Sequence, residues 1–260
     1  MPDTELPVRL YCFAHAGAGV SVFHGWGRRT GPGVEPVPVL LPGRGGRRQE
    51  PRLTDRDSLV AHLMDRISVT AGQPYALYGH SLGAMVAHAL TQALHEEGLP
   101  LPALIAVGAC PPPDETSKLS DACESSDEDL LEMLHTLGAL PDGAEARRYW
   151  RRASLPVLRD DLRLAGALRV AARTSAAAYG PLPVPMLAVS GNRDPLVSPE
   201  AVGGWRRWST GPVATRTVNG DHFFVRGGVL PRLTGRACRV VRRLDAMAGL
   251  ASSPVSAAQP

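Results

Sequence analysis

Residues 75 to 98 run from a short apolar stretch, Tyr75 to Tyr78, through Gly79-His80-Ser81-Leu82-Gly83 into an unbroken series of helix formers that ends before Gly98. The order is strand, tight turn, helix. A side chain at either glycine would obstruct a turn this sharp, and the turn lifts Ser81 into a strained, exposed position where its hydroxyl can meet a substrate. A strand that feeds a helix in this way belongs to a mostly parallel sheet, because parallel neighbours need crossover connections.

The rest of the chain keeps that rhythm. Val8 to Phe13 predicts a strand ending in the loop His15-Ala16-Gly17-Ala18-Gly19, and Val37 to Leu41 a second, halted by Pro42 and Gly43. Leu59, Leu63 and Ile67 recur at helical spacing and predict a helix over 57–69. Further strands are expected at Leu104 to Val107, Met186 to Val189 and Val213 to Val218. Ser198-Pro199 has the form of a helix cap followed by proline at the first helical position. Residues from about 114 to 180 lack strand signals and read as amphipathic helices, an insertion that either roofs the site as a lid or pads the core. One domain over 1–247 is expected, with a disordered tail over 248–260.

Composition narrows the function. No run approaches the roughly 18 apolar residues of a membrane span, and the N-terminus has no signal-like pattern, so a cytoplasmic protein is expected. A formal charge of +3 without a basic helix gives no reason to expect nucleic acid. Cys12, Cys110, Cys123 and Cys238 lack metal-ligand spacing. The arginines crowd the N-terminal fifth, Arg44 and Arg47 among them. That crowding makes either a merely solvated surface or a face that attracts an acidic partner.

A serine hydroxyl needs a base to take its proton, and the base needs an acid to orient it. His222 follows the last strand, where a loop brings it to the rim of the sheet that carries Ser81; His62, His88 and His95 fall on helices and His80 lies inside the turn. Asp194 follows the strand MLAVSG, between serine and histidine in the chain order of α/β-hydrolases. Asp114, Asp160 and Asp161 lie in or near the insertion, and Asp221 is too close to His222 to orient its ring. The backbone N–H groups of Leu82 and Ala16 are the candidate oxyanion donors, although the loop holding Ala16 also reads as a plain glycine-rich turn. That loop does not match a phosphate-binding pattern. The fold class expected is therefore the α/β-hydrolase fold.

Several segments go further: CFAHAGAGVSVFHGW at 12–26, LPGRGGRR at 41–48, YGHSLGAMVA at 78–87, LPVLRDDLRL at 155–164, SGNRDPLV at 190–197 and GDHFFV at 220–225. In this order they resemble the type II thioesterases, stand-alone enzymes that accompany modular polyketide synthases and nonribosomal peptide synthetases, and the likeness covers roughly 8–245. Gly19 departs from the serine more often found there. The resemblance implies hydrolysis of acyl thioesters on the phosphopantetheine arm of carrier proteins, with Ser81, Asp194 and His222 as triad and Ala16 and Leu82 as oxyanion donors. It implies no metal or cofactor, a monomer by default, and an acidic carrier protein that Arg44 and Arg47 are candidates to contact. A general esterase or lipase, and a non-catalytic synthase-binding module, are the competing readings.

Overall fold

In the first apolar run, VRLYCF, successive side chains point to opposite faces of a strand. Leu10 and Cys12 enter one hydrophobic cluster while Tyr11 and Phe13 enter another, so this strand is covered on both sides. The computed structural model describes residues 6–67, 73–140 and 143–252. Its strands are β1 (Val8–Phe13), β2 (Val34–Pro38), β3 (Tyr75–His80), β4 (Leu104–Gly108), β5 (Met186–Gly191) and β6 (Val213–Val218). They pair in the order β2-β1-β3-β4-β5-β6, parallel throughout.

Helices α1 (Trp26–Arg29) and α9 (Val229–Ser252) cover one face, where Trp26 and Leu230 join Leu10, Tyr78 and Val189. On the other lie α2 (Arg56–Met64), α3 (Leu82–Glu96), the later part of α7 (Leu155–Tyr179) and α8 (Pro199–Gly203). Every residue of β3 and β4 is buried, as expected of central strands in a sheet with two covered faces. The insertion between β4 and β5 is helical, made of α4 (Lys118–Asp121), α5 (Asp127–Thr136), α6 (Ala144–Tyr149), a π-helical turn at Trp150–Ser154, and α7. It has its own apolar cluster, in which Leu130, Leu131 and Leu134 of α5 meet Leu155, Leu158 and Leu162 of α7.

Several expected boundaries shift. The second strand lies at Val34–Pro38, not 37–41, because β1 pairs Val8 with Val34 and Cys12 with Pro38. Edge position lets it carry Pro36 and Pro38, which have no N–H to donate. Helix α2 starts behind Asp55, whose carboxylate accepts from the Ser58 N–H at 2.9 Å, and stops at Met64; residue 69 lies outside the described residues. Helix α9 continues to Ser252, five residues into the segment expected to be a disordered tail; residues 253–260 lie outside the described residues. Ser198 caps α8 as expected, accepting from the Ala201 N–H at 3.2 Å. Among the described residues no helix is long and apolar enough to cross a membrane.

Candidate active site

From β1 the chain crosses outward to β2, then returns past β1 to β3, so the connections leaving β1 and β3 diverge. Parallel sheets open a crevice at such a point, beside the carboxyl ends of the two strands. The loop after β1 carries Ala16, and the turn after β3 carries Ser81. Ser81 has φ +55° and ψ −116°, a strained conformation for a residue with a side chain. Its two glycines are sterically required. A Cβ on Gly79 would stand 1.9 Å from the Gly83 carbonyl oxygen, and one on Gly83 would stand 2.2 Å from that of Phe13. The second contact reflects the close packing of helix α3 onto β1. Ala109, just past β4, also has a positive φ of 51° and lines the cavity beside Ser81.

The loops after β5 and β6 are laced together. The Asn192 N–H donates to the Val218 carbonyl at 2.9 Å, the Arg193 N–H to the Gly220 carbonyl at 2.9 Å, and the Gly220 N–H to the Asn192 side chain at 3.0 Å. A Cβ on Gly191 would fall 2.6 Å from the Gly220 carbonyl oxygen, so glycine permits this approach. The lacing brings Asp194 and His222 face to face. His222 Nδ1 lies 2.9 Å from Asp194 Oδ2, and its Nε2 lies 3.3 Å from Ser81 Oγ. The other carboxylate oxygen of Asp194 accepts the N–H groups of Leu196 and Val197 at 2.9 and 3.2 Å, which fixes the carboxylate plane. Both side chains are almost fully buried.

The remaining candidates are occupied elsewhere. Asp221 accepts from the Phe223 N–H within its own turn, Asp114 holds Arg207 and the Trp208 indole, and Asp160 pairs with Arg52. His62 meets Arg47, and His88 is buried against Trp205 and Trp208. His80 is buried and does not face Ser81 in the manner of a base. Its Nε2 lies 2.7 Å from the His222 carbonyl, which can only accept, so Nε2 carries the proton and Nδ1 accepts from the Tyr78 hydroxyl at 2.7 Å. Burial, reinforced by the neighbouring His222, pushes the His80 pKa well below the usual histidine range. The neutral ring thus tethers the backbone of His222.

Leu82 opens α3, so its N–H belongs to the first turn, which has no acceptor within the helix. Ala16, Ser81 and Leu82 line one cavity, over which α7 places Leu162, Ala165 and Arg169. Its volume is about 30 Å³, room for one or two water molecules. Arg169 is buried and donates to the carbonyls of Pro111, Pro112 and Glu115, tying α7 to the segment that follows β4.

The two arginines that were candidates for a carrier-protein contact are both paired within the chain. Arg44 is partly buried, its side chain 9% exposed, and it makes a two-pronged pair with Asp161 at 2.7 Å on each prong. Arg47 pairs with Glu50 and also donates to the Leu40 carbonyl at 2.7 Å. Each guanidinium is held by groups of this chain. The role of Asp161 went unseen in the sequence. A signal was present: Asp161 lies on the stripe of α7 marked by Leu158, Leu162, Ala165 and Leu168, where an acid is out of place unless paired.

Comparison with known proteins identifies the family. The thioesterase domain family matches residues 8–235. A probable cadicidin biosynthesis thioesterase of Streptomyces griseus is 29% identical over 84% of this chain, which spans 58% of that relative's length. Thioesterase PikA5 of Streptomyces venezuelae is 31% identical, with 86% of this chain and 78% of the relative covered. Among solved structures, RedJ, a thioesterase from the prodiginine pathway of Streptomyces coelicolor, shares 34% identity and superposes with a TM-score of 0.72 over 92% of this chain and 85% of its own. The match runs from β1 into α9 and takes in the elbow, both laced loops and the helical insertion: this chain belongs to the thioesterase family.

Proposed function

We propose that the chain is an editing thioesterase of a modular synthase, releasing acyl groups from the phosphopantetheine arm of carrier proteins, and that it works as a cytoplasmic monomer. The observation that carries the reading is the line from Ser81 Oγ through the His222 ring to Asp194, with Ser81 lining a cavity roofed by α7. As Ser81 Oγ attacks the thioester carbonyl, its proton passes to His222 Nε2, and Asp194 supports the resulting imidazolium. The oxyanion accepts from the N–H groups of Leu82 and Ala16, where charge appears only as the new bond forms. The C–S bond then breaks and His222 returns the proton to the departing pantetheine sulfur. Water, deprotonated by the same histidine, attacks the acyl-enzyme; release of the carboxylic acid restores Ser81. No step needs a metal.

The biosynthetic roles named for the S. griseus relative and for RedJ support a synthase setting, and the insertion over the cavity supports an arm threaded from the rim. The test is release of a short acyl group from a phosphopantetheinylated carrier protein, with a simple ester as control. Ser81→Ala should abolish release while leaving the circular dichroism spectrum unchanged. Brisk ester cleavage with no release from any of several carriers would replace this reading with a general esterase.

A further inference from the structure

The loop after β1 contains a four-residue turn, His15 to Ala18, closed by the Ala18 N–H donating to the His15 carbonyl at 3.1 Å. Gly17, at its third position, has φ +74°, the mark of a type II turn. Both ends of the central peptide are held from outside the turn's own ring of bonds. The Ala16 carbonyl accepts from Nδ1 of the His15 side chain at 3.1 Å, and the Gly17 N–H donates to Asp161 Oδ2 at 2.7 Å. With that peptide fixed, the direction of the Ala16 N–H depends only on the φ and ψ of Ala16.

Asp161 comes from α7, in the insertion. Its carboxylate is 1% exposed, and Arg44 holds both oxygens, so Oδ2 serves the guanidinium and the Gly17 N–H together. Arg44 is in turn braced by the loop, with its Nη1 3.4 Å from the Ala18 carbonyl. A carboxylate clamped on two sides is a fixed point for the turn. The geometry points to Asp161, braced by Arg44, as a positioning residue that sets the Ala16 oxyanion donor, so that the inserted helix completes the oxyanion hole as well as covering it. This rests on the reading of Ala16 as a donor for the acyl oxyanion.

Removing one partner of a buried pair leaves the other charge unpaired, so the test uses matched double variants. Arg44→Met with Asp161→Leu removes charge and acceptor together. Arg44→Met with Asp161→Asn removes the charges and keeps a carbonyl oxygen to accept from Gly17. On an acyl thioester of N-acetylcysteamine the leucine pair should lose roughly 100-fold in kcat with KM within about threefold, the scale of a displaced oxyanion donor. Affinity for an alkyl boronic acid, which forms a tetrahedral adduct on Ser81, should fall in parallel. The asparagine pair should recover most of the rate, and amide exchange at Gly17 should be fast only in the leucine pair. Equal rates with unchanged Gly17 exchange would overturn the inference and leave Ala16 as a donor untouched. Equal rates with fast exchange would overturn it by removing Ala16 from the oxyanion site. If the leucine pair fails to fold, Asp161→Glu, which pushes the carboxylate outward by one methylene, must show the same kcat-selective loss, and an unchanged kcat there would sink the idea.

Discussion

Asp194, the proposed acid of the triad, shows how much of such a residue's task is done by its surroundings. Two backbone N–H groups hold one oxygen and leave the other to His222, so replacing the carboxylate by an amide changes which histidine nitrogen carries the proton without emptying the space. Asp194→Asn should lower kcat by about 10⁴ with little change in KM, measured as thioester hydrolysis, because the imidazole is then held in the wrong tautomer. A loss below tenfold would remove Asp194 from the triad. At this scale the sequence was informative where chemistry is local. Ser81 declares itself through the two glycines that its turn cannot do without, and Asp194 and His222 through the strand ends that carry them. Asp161 was not legible, since its partners Arg44 and Gly17 lie at sequence distances no motif spans.

Among the elements, α3 carries the largest unbalanced polar burden. His88 lies in its buried face with neither ring nitrogen hydrogen-bonded among the described residues, and burial pushes its pKa down to about 3. The folded chain therefore keeps this ring neutral at pH values where the unfolded chain, titrating near 6.5, takes up a proton. Stability must fall as pH drops through that window, by about 1.4 kcal/mol per pH unit for one such proton. His88→Phe should remove that share, so urea-unfolding free energies measured between pH 4.5 and 6 should show a shallower slope than the native chain; parallel slopes would mean that His88 is protonated in the fold. Strand positions were read well because β3, β4 and β5 are continuous apolar runs. The second strand was misplaced because Pro36 looks like a breaker until edge position excuses it, and α2 was read too long because Ile67 continues its spacing while the chain has already left the helix.

Across the whole molecule, the insertion divides along α7. Leu155, Leu158 and Leu162 belong to the outer cluster with α5, whereas Leu164, Leu168 and Ala172 pack into the main core. Hydrogen exchange should therefore protect the later part of α7 nearly as well as α3 and leave α5 and α6 faster, since the outer cluster opens without breaching the sheet. Uniform protection of α5 and α7 would show one cooperative body instead. The sequence located this insertion but not its division, which depends on which face of a long amphipathic helix meets which neighbour. The sheet itself imposes a further condition. Because every strand pairing is parallel, each joins distant stretches of chain: Arg9 lies beside Tyr75, and Ile105 beside Met186 across the entire insertion. Among the described residues no hairpin offers an early local foothold, so folding is slowed by the entropy of closing long loops. The proposed pairing of Ser81 with His222 forms only after β6 has docked, so on this reading a nascent chain remains chemically inert until His222 has been made.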